Sequence, residues 1–499
     1  MNLFQRIAGF AAIQPQALAL QGSGLSIDYH TLAVTINELS VQLEALRVGV
    51  LALALDNGPA WALLDLAATK AGICLVPIPP FFSSRQVEHC LSRAGVDLIL
   101  TDCPERMLHR LADLQSDPAV SMELCGTEIN ALRTRYGARR IPQQAVKLTF
   151  TSGTTAEPKG VMLAWRQIEA VVTSLADAVE VVHQDRHLCL MPLSILLENV
   201  AGLYVPLWCG ATAALPSLGE TGLLGAAGLD AQRMMSSLQA YEATTAIFTP
   251  QMLQGAVEFL ERGQGFYARL RFVAVGGATV SRRLLARAER VGLPVFEGYG
   301  LSEAASVICL SRPGCMRPGS VGKPLPHLQL RIAEDGEVLI KNDHFLGYQG
   351  ETQAAIPQGW WHTGDIGHLD DEGFLYLRGR RRHLFITAHG RNVSPEWVER
   401  ELVLEPAIAQ AALFGEARPW NLAVIVPAAG SSTTAIEQAL QRVNRQLPDY
   451  ARVAQWLSAD APFSVSNGQL SANGRLRRQA VHQHYQCRMA AFYQQEYVS

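Results

Sequence analysis

Over the first 145 residues, short apolar runs alternate with helical patterns. Residues 49–55 (Gly-Val-Leu-Ala-Leu-Ala-Leu) predict a buried strand. Residues 60–71 predict a helix, with Gly72 as its stop, and residues 75–80 predict the next strand and turn. A helix over 86–93 and a strand over 96–102 follow. Strand, helix and strand at this spacing predict parallel units with right-handed crossovers. Residues 146–150, apolar except for Lys147, predict the end of another buried strand, and 165–182 a helix. Buried strands are predicted again over 243–249, 270–275 and 293–296.

The pattern then changes. Residues 312–378 are rich in Gly and Pro, with short alternating runs at 329–332 and 336–340, which predict a small β-barrel or an antiparallel sheet. Beyond them, strands over 411–414 and 422–426 alternate with helices over 395–402 and 434–446. Ser394 is placed to cap the first of these helices, with Glu396 in its first turn.

Composition narrows the class. The chain has 499 residues, 48% hydrophobic and 17% charged, enough for more than one buried core. A net charge of −3 without a long basic run does not suggest a nucleic-acid partner. Nine scattered cysteines without a C-x-x-C pair suit a reduced, cytoplasmic chain. The first residues lack the apolar core and cleavage site of a signal peptide. The apolar stretch 200–215 is broken by Pro206 and Gly210, so it predicts a buried helix and strand rather than a membrane span. Weak association with a membrane surface stays open. His482, His484 and Cys487 are spaced H-x-H-x-x-C, but no fourth candidate ligand stands near them, which disfavours zinc.

The most informative stretch follows the strand at 146–150. It reads Thr151-Ser152-Gly153-Thr154-Thr155-Ala156-Glu157-Pro158-Lys159-Gly160. Small hydroxyls, a glycine that lets backbone N–H groups approach an anion, and a lysine give the chemistry of a phosphate cradle. It is not a Walker loop, because Pro158 stands where the second glycine would be.

This stretch resembles the phosphate-binding motif of the adenylate-forming superfamily, which includes acyl-CoA synthetases, peptide-synthetase adenylation domains and firefly luciferase. It departs at Ala156, where the family has glycine. Residues 67–80 resemble an early structural signature of the family. Residues 188–199 resemble its P-L-x-H-x-x-E segment, with Ile195 in place of the histidine and Glu198 matching. Gly276-Gly277-Ala278 and Gly298-Tyr299-Gly300-Leu301-Ser302-Glu303 resemble the turns that hold adenine. Trp361-His362-Thr363-Gly364-Asp365 and Arg380 resemble the ribose and nucleotide contacts. Arg382 falls at the hinge residue, and residues 389–396 resemble the pantetheine-channel segment, with Gly390 and Arg391. Residues 470–478 resemble the family's ending, with Arg475 where the catalytic lysine stands.

The resemblance implies an α/β fold: a large N-terminal domain, residues 1–379, of two doubly wound subdomains plus a β-barrel, and a smaller mobile α+β domain, residues 383–499, with the hinge at 380–382. It implies that ATP and Mg²⁺ are used, with Thr151 and Glu303 on the metal. Lys159 and the hydroxyls of Thr151, Ser152, Thr154 and Thr155, with Gly153, would take the phosphates. Gly277, Ala278, Gly298, Tyr299, Gly300, Leu301 and Ser302 would hold the base, Asp365 and Arg380 the ribose and phosphate. Arg475, Lys159 and Glu303 are the expected catalytic residues. Ile195, Leu196, Asn199 and Val200 are the expected acyl pocket. The implied reaction joins a carboxylic acid to AMP and passes the acyl group to CoA. The apolar tone of residues 191–207 favours a medium- or long-chain fatty acid. Two alternatives stand beside this: loading of a carrier-protein pantetheine, and a nucleotide-binding pseudoenzyme carrying Ala156, Ile195 and Arg475. Monomer and homodimer both stay open.

Overall fold

The computed structural model describes residues 2–111, 114–118, 120–137, 141–151, 158–225, 228–263, 269–278, 280–341, 345–351, 359–471 and 474–495. The chain divides into two compact units. The first comprises Met1–Ala278, Arg287–Leu330 and Ile340–Trp361; the second comprises Thr279–Ala286, Arg331–Leu339 and His362–Ser499.

The first unit holds two large sheets. In one, Arg186–Leu188 lies between Thr212–Ala214 and Thr245–Phe248, all parallel, and Phe272–Val275 and Val295–Tyr299 extend the sheet in parallel. Thr245–Phe248 and Phe272–Val275, in its middle, are largely apolar and buried, as strands covered on both faces must be. In the other, Val50–Ala54 lies parallel between Cys74–Pro77 and Leu98–Thr101. Ala145–Thr151 runs parallel beside Cys74–Pro77 and turns back into Lys159–Ala164 as an antiparallel neighbour. This places Thr151 and Lys159 opposite each other at the mouth of the phosphate stretch.

Helix Pro59–Lys70 is apolar on every side and buried at every residue but its last. A helix hydrophobic all round must sit inside a core, and its one acidic residue, Asp65, is therefore fully buried.

The segment 198–214 is a π-helix, Glu198–Tyr204, continued by an α-helix, Val205–Cys209, and a strand, Thr212–Ala214. Gly210, at φ +77°, ends the helix, a conformation glycine adopts at little cost. Among the described residues no helix is long and apolar enough to cross a membrane.

In the second unit, Asn421–Pro427 lies between Ile408–Phe414, antiparallel, and Val453–Ser458, parallel. Over 411–414 and 422–426 the strands alternate. Leu413, Ala423 and Ile425 face helices Pro395–Leu402 and Thr433–Asn444, while Phe414, Leu422 and Val424 face helix Arg478–Gln495. The Gly/Pro-rich region forms a four-stranded sheet in the order Gln329–Ile332, Glu337–Lys341, Trp360–Leu369, Leu375–Arg380.

Candidate active site

In the first unit the phosphate stretch is anchored from both strands. Ser152, Gly153, Thr154, Thr155 and Ala156 lie outside the described residues. Thr151 closes its strand and gives a long hydroxyl contact to the Lys159 carbonyl, 3.4 Å. The Lys159 ammonium pairs with Glu351, 2.9 Å, and lies 4.9 Å from the centre of the Tyr348 ring. The Tyr348 hydroxyl in turn donates to Glu303, 2.6 Å. Tyr348 reaches both because its strand pairs with Lys159–Ala164. Lysine, aromatic ring and carboxylate are thus one connected group. Thr151 and Glu303 supply hydroxyl and carboxylate oxygens, the donor chemistry a hard divalent cation beside phosphate takes.

The expected base-binding turns follow neighbouring parallel strands, at their carboxyl ends, where α/β sheets place ligands. Gly277 has φ +80°. Gly300 cannot be replaced without rearrangement, since a β-carbon there would meet the Ser306 carbonyl oxygen at 1.5 Å. Leu301 and Ser302 lead into a short 3₁₀ turn carrying Glu303. Just beyond it, Ala305 and Ser306 take left-handed φ values of 54° and 110°. Strained non-glycine backbone of this kind persists only where surrounding structure holds it. Tyr299 is buried, Gly298 precedes it in the same strand, and Ala278 is exposed.

In the second unit, Asp365 and Arg380 face each other across an antiparallel pair, with Nε to Oδ1 at 2.8 Å. Asp365 is almost fully buried. Arg382 lies in the turn that follows. Arg475 is held in a tight turn, its N–H donating to the Ser471 hydroxyl at 3.0 Å and its carbonyl accepting from Ser471 N–H at 2.7 Å. Protein packed around the Arg475 guanidinium lowers its pKa below the ordinary arginine value although part of its surface faces water; nearby Arg380 and Arg382 lower it further, and Asp365 opposes them. Asp365, Arg380, Arg382 and Arg475 therefore form one electrostatic cluster. Gly390, at φ +73°, and exposed Arg391 sit in a separate turn closed by Thr387. His482 packs its ring on Phe414, while His484 faces Asp460 at 3.4 Å, so the two histidines serve different contacts.

An apolar cavity of about 60 Å³ lies against the strands of the first unit. Leu175, Val179, Leu197, Ala201, Val205 and Phe272 are among its walls. Its polar members, Asp185, His187 and Thr245, are already bonded within the protein. Asp185 is bound to Arg271, Thr244 and the Val182 N–H, and Thr245 bonds the His187 Nδ1 at 2.9 Å. His187 Nε2 meets Glu198 at 3.1 Å. Glu198 also accepts from the Met191 N–H, 3.2 Å. Burial, reinforced by the Glu198 charge, pushes the Cys189 thiol well up, so it stays protonated as a further donor to Glu198. This carboxylate is satisfied by the protein's own donors.

None of Ile195, Leu196, Asn199 and Val200 is among the residues lining this cavity. Asn199 points the other way, into a buried cluster with Asp65, Lys147 and Tyr204. The residues that do line it, Leu197, Ala201 and Val205, recur every four positions. That stripe was present in the sequence and could have identified them. Tyr348 and Glu351 carried no such signal, because only strand pairing brings them to Lys159.

The chain is similar to known proteins over nearly its whole length. A family model described as AMP-binding enzyme matches residues 7–348, and one described as AMP-binding enzyme C-terminal domain matches residues 383–497. A long-chain-fatty-acid–CoA ligase, FadD15, from Mycobacterium bovis is 26% identical over 570 residues, covering 93% of this chain and 92% of the relative. A 2-succinylbenzoate–CoA ligase from Bacillus mycoides is 33% identical over 298 residues, covering 55% of this chain and 58% of the relative. The fold is similar to that of O-succinylbenzoate coenzyme A synthetase from Bacillus subtilis solved in complex with ATP and magnesium ion, with a TM-score of 0.76 at 24% identity over 95% of this chain and 98% of that one. With both models matched in order along its length, the chain belongs to the AMP-binding enzyme family, as an enzyme of the adenylate-forming, acid–thiol ligase class.

Proposed function

We propose that this enzyme activates a carboxylic acid with an apolar body, a medium-chain fatty acid being the best fit, to its acyl-AMP and transfers the acyl group to the thiol of CoA. The observation that carries the choice of acid is the cavity walled by Leu197, Ala201 and Val205, whose polar members are all engaged elsewhere. It leaves no acceptor for an amino group and no donor for a second carboxylate. Its modest volume favours a chain shorter than those of the longest fatty acids.

The first half-reaction is attack of the acid's carboxylate oxygen on the α-phosphorus of ATP, with pyrophosphate leaving. Charge spreads over the phosphoryl oxygens, so cations and N–H groups fixed in advance supply most of the rate. Lys159 serves the departing phosphates, Asp365 accepts from the ribose hydroxyls, and Arg475 bridges the carboxylate and α-phosphate. Thr151 and Glu303 are the oxygen donors for Mg²⁺, which supplies charge neutralisation on the phosphates when bound. In the second half-reaction the thiol attacks the acyl carbon and AMP leaves.

The test is an acid panel. Carboxylate-dependent exchange of pyrophosphate into ATP should be greatest with saturated acids of intermediate length, and thioester formation should follow with free CoA. A preference for aromatic dicarboxylic acids, or acetate as the best substrate, would refute the fatty-acid assignment. Thioester formed on a carrier-protein pantetheine but not on CoA would reassign the acceptor.

A further inference from the structure

The π-helix Glu198–Tyr204 and its flanking residues make two sets of contacts. Leu197, Ala201 and Val205 turn toward the cavity. Asn199 and Tyr204 turn away from it, and both meet the same ammonium. Lys147 Nζ donates to the Tyr204 hydroxyl at 2.8 Å and to Asn199 Oδ1, and it pairs with Asp65 at 2.7 Å. Asp65 also accepts from the Tyr204 hydroxyl and from Asn199 Nδ2, 3.3 Å. Lys147 and Asp65 side chains are 1% and 0% exposed. A buried ion pair is weak evidence of net stabilisation, since apolar residues of like volume often do as well. What it can add is a fixed register.

We propose that Lys147 is a positioning residue for the acid: with Asp65 it holds Asn199 and Tyr204, and so sets where Leu197, Ala201 and Val205 stand in the cavity wall. Three features point to this. A π-helix is rare and recurs at functional sites, and its wide turns lack the self-sufficiency of an α-helix. Its first residue, Glu198, is held separately by His187 and the Met191 N–H, while Lys147 takes the next residue, Asn199, and the last, Tyr204. Gly202, between the two anchors, admits no side chain, because a β-carbon would meet Glu198 Oε1 at 2.5 Å and Cys189 Sγ at 2.8 Å. Lys147 also stands on the strand that ends at Thr151. One buried cation thus ties the wall of the cavity to the strand entering the phosphate stretch.

The proposal rests on the cavity being the acid's site, and the variants separate the two claims. Lys147→Met combined with Asp65→Leu removes both charges together, so no unpaired charge is left buried. We expect amides of residues 198–205 to exchange with solvent about tenfold faster or more in this variant, while those of Thr245–Phe248 keep their protection. The acid KM should rise about tenfold and discrimination between chain lengths should flatten, with the ATP KM changed less than about twofold. Tyr204→Phe, which removes one oxygen, should move the same quantities in the same direction by less, and it carries the measurements if the double variant does not fold. Unchanged exchange over 198–205 overturns the proposal, as does an unchanged acid KM and chain-length preference in a folded variant. Ala201→Phe distinguishes the levels. If it leaves the acid KM unchanged, the acid is not in this cavity and both claims fall. If it raises the acid KM while the Lys147 and Tyr204 variants do not, the positioning role alone falls.

Discussion

Lys159 and Glu351 form an ion pair, Nζ to Oε1 2.9 Å, in front of the Tyr348 ring. Each side chain is about half exposed, at 47% and 49%. Such pairs contribute at most about 1 kcal/mol, because water screens them and two long side chains must be ordered. A polyphosphate offers the ammonium several charged oxygens instead of one carboxylate, so Glu351 is a resting partner rather than a lock. Glu351→Gln should change the ATP KM less than about fivefold. Lys159→Ala should slow adenylation by about 10² to 10³-fold, the usual scale for losing a preorganised charge. Steady-state pyrophosphate exchange on both variants checks this, and a hundredfold gain in ATP affinity from Glu351→Gln would make the pair autoinhibitory instead.

Asp365 holds Arg380 at 2.8 Å and is nearly buried. As the acceptor for two ribose hydroxyls it would bond through a charge in a sheltered position. Asp365→Ala should raise the ATP KM by the equivalent of about 1.5–3 kcal/mol, the range for hydrogen bonds to charged groups. Asp365→Asn keeps the shape and should lose less. Unchanged ATP kinetics in Asp365→Ala would remove this residue from the nucleotide site.

The order of strands and helices was legible because periodicity reports burial. The runs at 49–55 and 75–80 became Val50–Ala54 and Cys74–Pro77, and helix Pro395–Leu402 starts after Ser394. Motif residues stand out because phosphate and ribose chemistry demands particular groups, hence the expectations placed on Lys159, Glu303 and Asp365. An apolar stretch does not say which face turns where: Leu197, Ala201 and Val205 line the cavity, whereas Ile195, Leu196, Asn199 and Val200 do not. Asn199, expected at the substrate, is consumed by Lys147 and Asp65, two residues far from it in sequence. The helix over 165–182 ends at Val179, since Glu180 takes a left-handed cap at φ 51°. Nothing in the hydrophobic pattern marks that stop.

Asp185 gives a pH prediction. Burial raises its pKa, but bonds from Arg271, the Val182 N–H and Thr244 outweigh burial and hold the carboxyl below the usual aspartate value. A folded-state pKa lower than the unfolded one means a stabilisation present above the unfolded value, about 3.9, and lost as pH falls through the folded one. Asp185→Asn should therefore be less stable than wild type at pH 7, with the difference shrinking below about pH 4. Urea unfolding at several pH values measures it. A difference independent of pH would show that the carboxylate's charge is irrelevant there.

In the proposed mechanism Arg475 does the work of the family's lysine. It shares one cluster with Asp365, Arg380 and Arg382, so its guanidinium is already in the neighbourhood of the Asp365 carboxylate. Protein packed around the guanidinium and its arginine neighbours lower its pKa although the residue is exposed, yet a guanidinium starts so high that it stays charged at working pH. Its planar fork can donate to a carboxylate oxygen and a phosphate oxygen at once, which a lysine does only by reorienting a point charge. The cost is bulk and a diffuse charge. Arg475→Ala should cut adenylation by about 10²-fold or more, the scale for one transition-state charge stabiliser. It should leave thioester formation from supplied acyl-AMP nearly intact, because that step has no attack on phosphorus to assist. Arg475→Lys should keep much of the activity or exceed it. Measuring the two half-reactions separately distinguishes the outcomes. Adenylation at the wild-type rate in Arg475→Ala would hand the role to another cation, and Arg382, in the same cluster, would be the next residue to replace.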